Sequence, residues 1–333
     1  MELIFQTKNS DRICRSQDVV YIFFGGQRDV LSTAAFKGGF QRDLDVLFNY
    51  DCCHDGTAEC GMKAPTLKEH MKILAEELGL NPQRAAGGST AVPMKCLAVE
   101  SETYGEVQVT AAVTAGLQGN GGRVGDPASY EEKEGEIVPL PTGTIHIYLL
   151  IDGKLSQDVM ARAMITATEA KVAAIQELML RSRYSYGLAT GSGTDKMFVT
   201  ANPQAAQELT DAGKHSKLGE MIGRTVRKAT KESLRRKLRD NEKSPLYHLK
   251  HFGWKEQPLP STEGIECGML MFTHLLDLML WGKISWDEAI AGSRRLFAAF
   301  DLDEHALLQC QEAGRQLSVE EQVQMLASCF RGR

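Results

Sequence analysis

Apolar and polar positions along the chain mark out short strands and longer helices, and the pattern is strongest between Gly143 and Thr200. Thr144 to Ile151 is an apolar run rich in β-branched residues. Pro141-Thr-Gly precedes it and Asp152-Gly153 follows, which predicts a buried strand. A long helix is expected next, with Ser156 as its cap, Asp158 in the first turn, and Ala, Met, Leu, Glu and Gln carrying it to about Leu180. At about 100° per residue, Met160, Met164, Ala167, Ala174, Ile175 and Leu178 share one side, an arc wider than a surface helix needs. Lys171 projects from the middle of that side, whereas Arg162, Thr166 and Glu169 form a narrow polar stripe opposite, read first as a solvated face. A lysine among apolar neighbours snorkels to water, closes a structural ion pair, or belongs to a site. Beyond the helix, Tyr184 to Thr190 and Met197 to Ala201 are expected as strands joined by Gly191-Ser-Gly-Thr-Asp195. That loop offers backbone N–H groups, two hydroxyls and a carboxylate, the makings of an ordinary turn or of an oxyanion site.

Upstream, Val19 to Gly25 reads as a buried strand, and Arg28 to Phe40 holds Ser32, Thr33 and a Gly38-Gly39 pair that suits a turn or a close ligand. Residues 50–64 read as loop. Thr66-Leu-Lys-Glu69 is a capping box opening a helix that Gly79 ends. Met94 to Ser101 and Glu106 to Ala115 are expected as strands around a turn at Thr103 to Gly105. The glycine-dense loop from Gly116 to Asp126 fits neither a phosphate loop, lacking the Lys-Ser/Thr pair, nor the dinucleotide fingerprint, since Val124 stands where the third glycine belongs. Asn120, Arg123 and Asp126 give it a polar face, and 127–142 reads as surface loop.

Downstream, a helix starting at His215 or Ser216 carries the stripe Leu218, Ile222, Thr225 and Ala229, with Gly219 and Gly223 permitting close packing. His215 falls on the side of Ile222 and Val226, hence towards the core, where a structural role outranks a catalytic one. The basic run from Arg224 to Lys243 suits a helix C-terminus. After a linker over 241–260, further helices are expected, one from about Cys267 to Trp281 closed by Gly282, others opened by capping boxes at Ser285-Trp-Asp-Glu288 and Ser318-Val-Glu-Glu321. Trp254, Trp281 and Trp286 read as core fillers there. The expected architecture is α+β: a mixed β-sheet packed against long helices in a domain over 1–240, then a small all-α segment over 261–333. Strands and helices alternate too irregularly for a doubly wound parallel sheet.

Composition narrows the function. A chain with 43% hydrophobic and 24% charged residues and a net charge of -5 reads as a soluble globular protein with no drive towards nucleic acid. The apolar runs near Val19 to Phe24 and Gly268 to Trp281 are too short for a membrane span, and the N-terminus lacks the pattern of a secretion signal, so a cytoplasmic location is expected. The eight cysteines are expected as reduced thiols. Cys52, Cys53, His54 and Cys60 lie close together but lack C-x-x-C spacing, so thiols rather than zinc are expected there.

The runs GLQGNGGRVGDPA, GTIHIYLLIDGKLS, ITATEAKVAAIQEL, GLATGSGTDKMFV and HSKLGEMIGRTV together closely resemble the adenosylcobinamide amidohydrolase family of corrinoid salvage, over roughly Val19 to Leu238. His146 departs from the family pattern, where Asn is expected. The resemblance implies hydrolysis of the amide joining the aminopropanol arm to the corrin ring system. The products would be adenosylcobyric acid and 1-amino-2-propanol, with the acid re-entering coenzyme B12 synthesis. The substrate is itself a cobalt corrinoid, and no further cofactor is expected.

Amide hydrolysis needs a nucleophile, an oxyanion site and a general acid. The candidates are Thr194 or Ser192 as nucleophile or water-orienting group and Lys171 as base and then acid. Glu169 and Asp195 would position these groups, and His215 is a competing base. Asn120, Gly121, Gly122, Arg123 and Asp126, with Thr168 and Thr190, are expected to contact substrate. A metal route through His215, Asp195 and Glu169 ranks lower because no H-E-x-x-H or comparable spacing is present, so no metal site is expected. The non-enzymatic alternative is a corrinoid carrier or sensor. The C-terminal helices are the expected surface for a protein partner or a second copy.

Overall fold

The computed structural model describes residues 1–55, 61–117, 119–128, 143–185, 187–240, 263–299 and 304–329. In chain order the elements are β1 (Glu2–Gln6), β2 (Arg12–Arg15), β3 (Val19–Phe23), β4 (Asp29–Ser32), β5 (Gly39–Gln41), β6 (Val46–Asp51), α1 (Leu67–Glu77), β7 (Ala85–Thr90), β8 (Ala98–Tyr104), β9 (Val107–Gly116) and β10 (Gly121–Gly122). They continue as β11 (Thr144–Ile151), α2 (Gln157–Glu177), β12 (Gly191–Ser192), β13 (Lys196–Ala201), α3 (Lys217–Asp240), α4 (Glu263–Leu280), α5 (Trp286–Ala299), α6 (His305–Ala313) and α7 (Val319–Cys329). The class is α+β, with mixed sheets and an all-helical C-terminal segment. Two compact units separate, Met1–Gln176 with Leu180–Lys237 and Glu177–Met179 with Leu238–Arg333. The linker over 241–260 lies outside the described residues, as does nearly all of the expected surface loop over 127–142.

The first unit stacks two sheets. One runs β1-β2-β3-β6-β7, the other β5-β4-β13-β11-β9-β8. Most neighbours are antiparallel, but β6 pairs with β7 and β11 with β13 in parallel, and each parallel pair is joined through a helix, α1 or α2. The alternation of β11 explains the stacking. Tyr148 points at the five-stranded sheet, where its hydroxyl donates to the Phe48 carbonyl at 2.9 Å, and its ring stacks at 4.7 Å on Phe198 of the neighbouring β13 in its own sheet. Ile13, Val20, Ile22, Leu47 and Ala86 meet Ala112, Tyr148, Leu150 and Phe198 in one core between the sheets. At roughly 2 kcal/mol per large buried side chain, this layer is a main source of stability. Ile145, Ile147 and Leu149 point the other way and are equally buried. Helices α2 and α3 reach this sheet through Lys171–Asp195 and through the Ser233 hydroxyl, which accepts from the Ala115 N–H at 2.8 Å. On the outer side of the five-stranded sheet, α1 contributes Met71, Leu74 and Ala75 to a core with Val19, Val46 and Phe48.

Several local expectations change. Among the described residues of 184–190 there is no regular strand, and backbone bonds run from Ser182 to Gly187 and from Ala189 to Leu180. Gly191 and Ser192 pair with β10, so the expected hairpin to β13 is replaced by a two-stranded clamp on the glycine-dense loop. The strand expected from Met94 begins at Ala98, after a turn of 3₁₀-helix over Met94–Cys96. Gly223 faces open space rather than a packed helix, whereas a Cβ on Gly219 would lie 1.9 Å from the Gly213 carbonyl oxygen. Cys52 is disulfide-bonded, against the expectation of reduced thiols throughout.

The second unit buries Phe272, Leu276, Trp286, Ile290, Phe297, Leu307, Val323 and Leu326 in its own core. Its capping boxes form as read: the Glu288 N–H donates to the Ser285 hydroxyl and the Ser285 N–H to the Glu288 carboxylate, and Ser318 and Glu321 do the same. Among the described residues no helix is long and apolar enough to cross a membrane.

Candidate active site

Three elements converge on one carboxylate. Asp195 lies just before β13, and its Oδ1 accepts from the Ile145 N–H of β11 at 3.0 Å and from the Ser192 hydroxyl at 2.6 Å. Oδ2 accepts from Lys171 Nζ of α2 at 2.6 Å and from the Ser192 N–H at 3.2 Å. The Lys171 and Asp195 side chains are 11% and 19% exposed, so the lysine on the apolar side of α2 is a largely buried ion pair. Such a pair holds its geometry because the donors compensate the desolvated charge. Gly191 makes the approach possible: a Cβ there would sit 2.4 Å from Asp195 Oδ2 and 2.7 Å from Lys171 Nζ.

Thr194 is committed to holding the loop. Its hydroxyl donates to the Gly143 carbonyl at 2.9 Å, and its own carbonyl accepts from the Thr144 hydroxyl at 2.8 Å and from Lys196 Nζ at 3.2 Å. Burial pushes the Lys196 amine below its usual range, and the nearby Asp195 charge opposes that. Beside it His146 is fully buried and its imidazole is held well below 6.5 by burial and by Lys196. It is neutral, and its Nδ1 meets the Asn49 side-chain oxygen at 2.7 Å.

The glycine-dense loop forms the facing wall. Thr190 donates its N–H to the Gly122 carbonyl at 2.8 Å and accepts the Val124 N–H on its hydroxyl at 2.9 Å. Asp126 accepts from the Arg123 N–H at 2.7 Å, the Ser182 hydroxyl at 2.7 Å and the Ser185 hydroxyl. Burial alone would raise its pKa, but these hydrogen bonds together with the Arg123 charge bring it below the usual carboxylate value. A cavity of about 360 Å³ lies between the walls, bordered by Asn120, Gly122, Arg123, Asp126 and Thr190 on one side and by Lys171, Gly191 and Ser192 on the other. Asn120 is 2% exposed, and neither of its amide atoms has a hydrogen-bond partner among the described residues.

The structure thus gathers Lys171, Ser192, Thr194 and Asp195, and sets Asn120, Gly121, Gly122, Arg123, Asp126 and Thr190 opposite or beside them. Glu169 and Thr168 are elsewhere. Glu169 pairs with Lys214 at 3.6 Å, Thr168 donates to the Met164 carbonyl, and both face a separate groove between α2 and α3. Glu169 lies about 160° round α2 from Lys171, and Thr168 turns its hydroxyl back onto its own helix. His215 is exposed, not turned to the core, because it precedes Ser216, whose hydroxyl caps α3 by accepting the Gly219 N–H at 3.1 Å. Helical periodicity does not extend to it. Thr166, read as solvated, is buried with its hydroxyl on the Ala212 carbonyl at 2.7 Å. His215, Asp195 and Glu169 therefore do not form a ligand set, and no three His, Cys, Asp or Glu side chains among the described residues could hold a metal ion together.

Tyr184, Lys196 and Gly193 were not singled out from sequence. Tyr184 and Gly193 border the cavity, and Tyr184 packs on Gly122, 3.3 Å from where a Cβ would stand. No periodicity marks Tyr184 and Gly193, which flank the cavity beside the clamp between β10 and β12, and Lys196 comes beside His146 through the β11–β13 pairing.

Comparison with known proteins matches residues 3–242 to a family described as adenosylcobinamide amidohydrolase. An uncharacterised protein of Methanocaldococcus jannaschii is 34% identical over 239 residues, spanning 68% of this chain and 90% of its own length. A crystal structure of a protein from Pyrococcus horikoshii superposes with a TM-score of 0.35 at 11% identity, over 70% of this chain and 80% of that one, a likeness too loose to inform fold or site.

Proposed function

The chain belongs to the adenosylcobinamide amidohydrolase family, and from that premise we infer that it hydrolyses the aminopropanol amide of adenosylcobinamide, releasing adenosylcobyric acid and 1-amino-2-propanol for corrinoid salvage. The observation that carries the mechanism is the shared carboxylate: Asp195 accepts both the Ser192 hydroxyl and the Lys171 ammonium at 2.6 Å beside one cavity. Ser192 is the better nucleophile of the two hydroxyls, because Thr194 is spent on the Gly143 carbonyl.

Ser192 Oγ attacks the amide carbon and its proton passes to Asp195 Oδ1. The developing oxyanion is stabilised by the remaining N–H bonds of Lys171, whose ammonium has donors to spare beyond the one given to Asp195. Lys171 then protonates the leaving nitrogen, so the C–N bond breaks to give free 1-amino-2-propanol and a cobyryl ester on Ser192. The proton held by Asp195 returns to Lys171 across their short contact. Water, giving its proton to Asp195, attacks the ester carbon; the bond to Ser192 Oγ breaks, that oxygen takes the proton back, and the carboxylic acid product leaves. In this reading Asp195 takes the role of base and Lys171 that of acid.

The cavity is small beside a corrinoid, which suits a slot that takes the amide arm while the ring lies across its mouth. The loop through Asn120, Gly122, Arg123 and Asp126, with Thr190, is then the wall that meets the side-chain amides of the ring. Chromatography of adenosylcobinamide after incubation with the protein tests the activity: release of 1-amino-2-propanol supports it, and recovery of the corrinoid unchanged would mark a carrier or sensor.

A further inference from the structure

The C-terminal helical unit holds two thiols at close range. Cys310 on α6 and Cys329 on α7 have their sulfur atoms 2.9 Å apart. A disulfide bond spans a little over 2 Å, so less than an ångström of sulfur movement separates the pair from a covalent link. The backbone arrangement already supports this, because the two helices pack against each other around Leu307, Val323, Leu326 and Ala327.

The two sulfurs differ in access. Cys310 is half-buried, whereas Cys329 is 6% exposed and lies within reach of the Ala306 and Met325 carbonyls. An external reagent therefore meets Cys310 first, and Cys329 stands behind it as the resolving thiol.

We propose that Cys310 and Cys329 form an oxidisable dithiol, a modification site that takes a low-molecular-weight disulfide as its oxidant. The Cys310 thiolate attacks one sulfur of the reagent, forming a mixed disulfide and expelling one thiolate. Cys329 then attacks the Cys310 sulfur, displacing the second thiolate and closing the intramolecular bond. The protein loses two electrons and two protons, and the reagent is reduced to two thiols. The link ties α7 to α6 and closes the loop that runs between them over Gly314–Gln316.

The full chain, reduced and then treated with oxidised glutathione, is digested without reduction and mapped by mass spectrometry. The expected result is a cross-linked pair of peptides carrying Cys310 and Cys329, lost on adding dithiothreitol, with a raised denaturant midpoint for the helical unit. In Cys329→Ser the same treatment leaves a stable glutathione adduct on Cys310, because the resolving thiol is gone. The proposal is overturned if the wild-type chain keeps a glutathione adduct on Cys310 without closing the bond. It is equally overturned if both thiols stay reduced under conditions that oxidise an exposed control dithiol.

Discussion

Lys171 and Asp195 are joined at 2.6 Å although a helix end, a loop and a two-residue strand separate them in the chain. Removing the lysine leaves a carboxylate with little solvent and one donor fewer, at a cost of roughly 3 kcal/mol by analogy with broken buried pairs. Lys171→Met is therefore expected to lower the unfolding midpoint and to reduce kcat by about 10²–10⁴. Adding Asp195→Asn to it removes the stranded charge. Chemical denaturation should show stability recovered in the double variant while activity stays lost, which separates the catalytic role from the structural one.

Ser192→Ala is expected to lose about 10³ or more of kcat. Glu169→Gln, Thr168→Ala and His215→Gln are expected to keep near-wild-type kcat/KM, because those side chains lie outside the cavity. Steady-state assays on the set check this. A His215→Gln variant with a shifted pH profile would return the histidine to consideration as the base.

Gly191 is a steric prediction. An alanine methyl would overlap Asp195 Oδ2 and crowd Lys171 Nζ, so Gly191→Ala should part the pair and cost about 10² in kcat/KM. Far-ultraviolet circular dichroism should stay at wild type, since the change falls at the end of a two-residue strand.

His146 gives a pH signature. In the unfolded chain its imidazole titrates near 6.5, whereas in the fold burial first and Lys196 second hold it well below. As pH falls through 6.5 the unfolded state takes up a proton that the native state refuses, so stability is full above that value and is lost progressively below it. His146→Asn, which keeps a polar partner for Asn49, removes this dependence. Urea midpoints measured from about pH 7.5 to about pH 5 should fall more steeply for wild type than for the variant.

Much of the frame was legible because local rules and burial agree in it. β11 begins and ends at Thr144 and Ile151 as its apolar run predicts, and the three capping boxes open α1, α5 and α7. Lys171 stood out because its charge contradicts its side of the helix, and the ion pair resolves that contradiction. Other positions are not legible locally, for identifiable reasons. His215 stands before the cap, where a helical wheel does not apply, Thr166 hides a hydroxyl that a backbone carbonyl satisfies, and Ala189 and Gly187 are held by backbone bonds that carry no period. The clamp of Gly121 and Gly122 on Gly191 and Ser192 joins segments some seventy residues apart, and nothing local announces it.

The most direct test is single-turnover incubation of adenosylcobinamide with excess wild-type protein, Ser192→Ala or Lys171→Met, each verified as folded, with both products quantified by chromatography. Wild type is expected to convert the substrate to adenosylcobyric acid and 1-amino-2-propanol while both variants leave it intact over the same interval. Unchanged substrate with folded wild-type protein, or variants that keep pace with it, would contradict amide hydrolysis by Ser192 and Lys171.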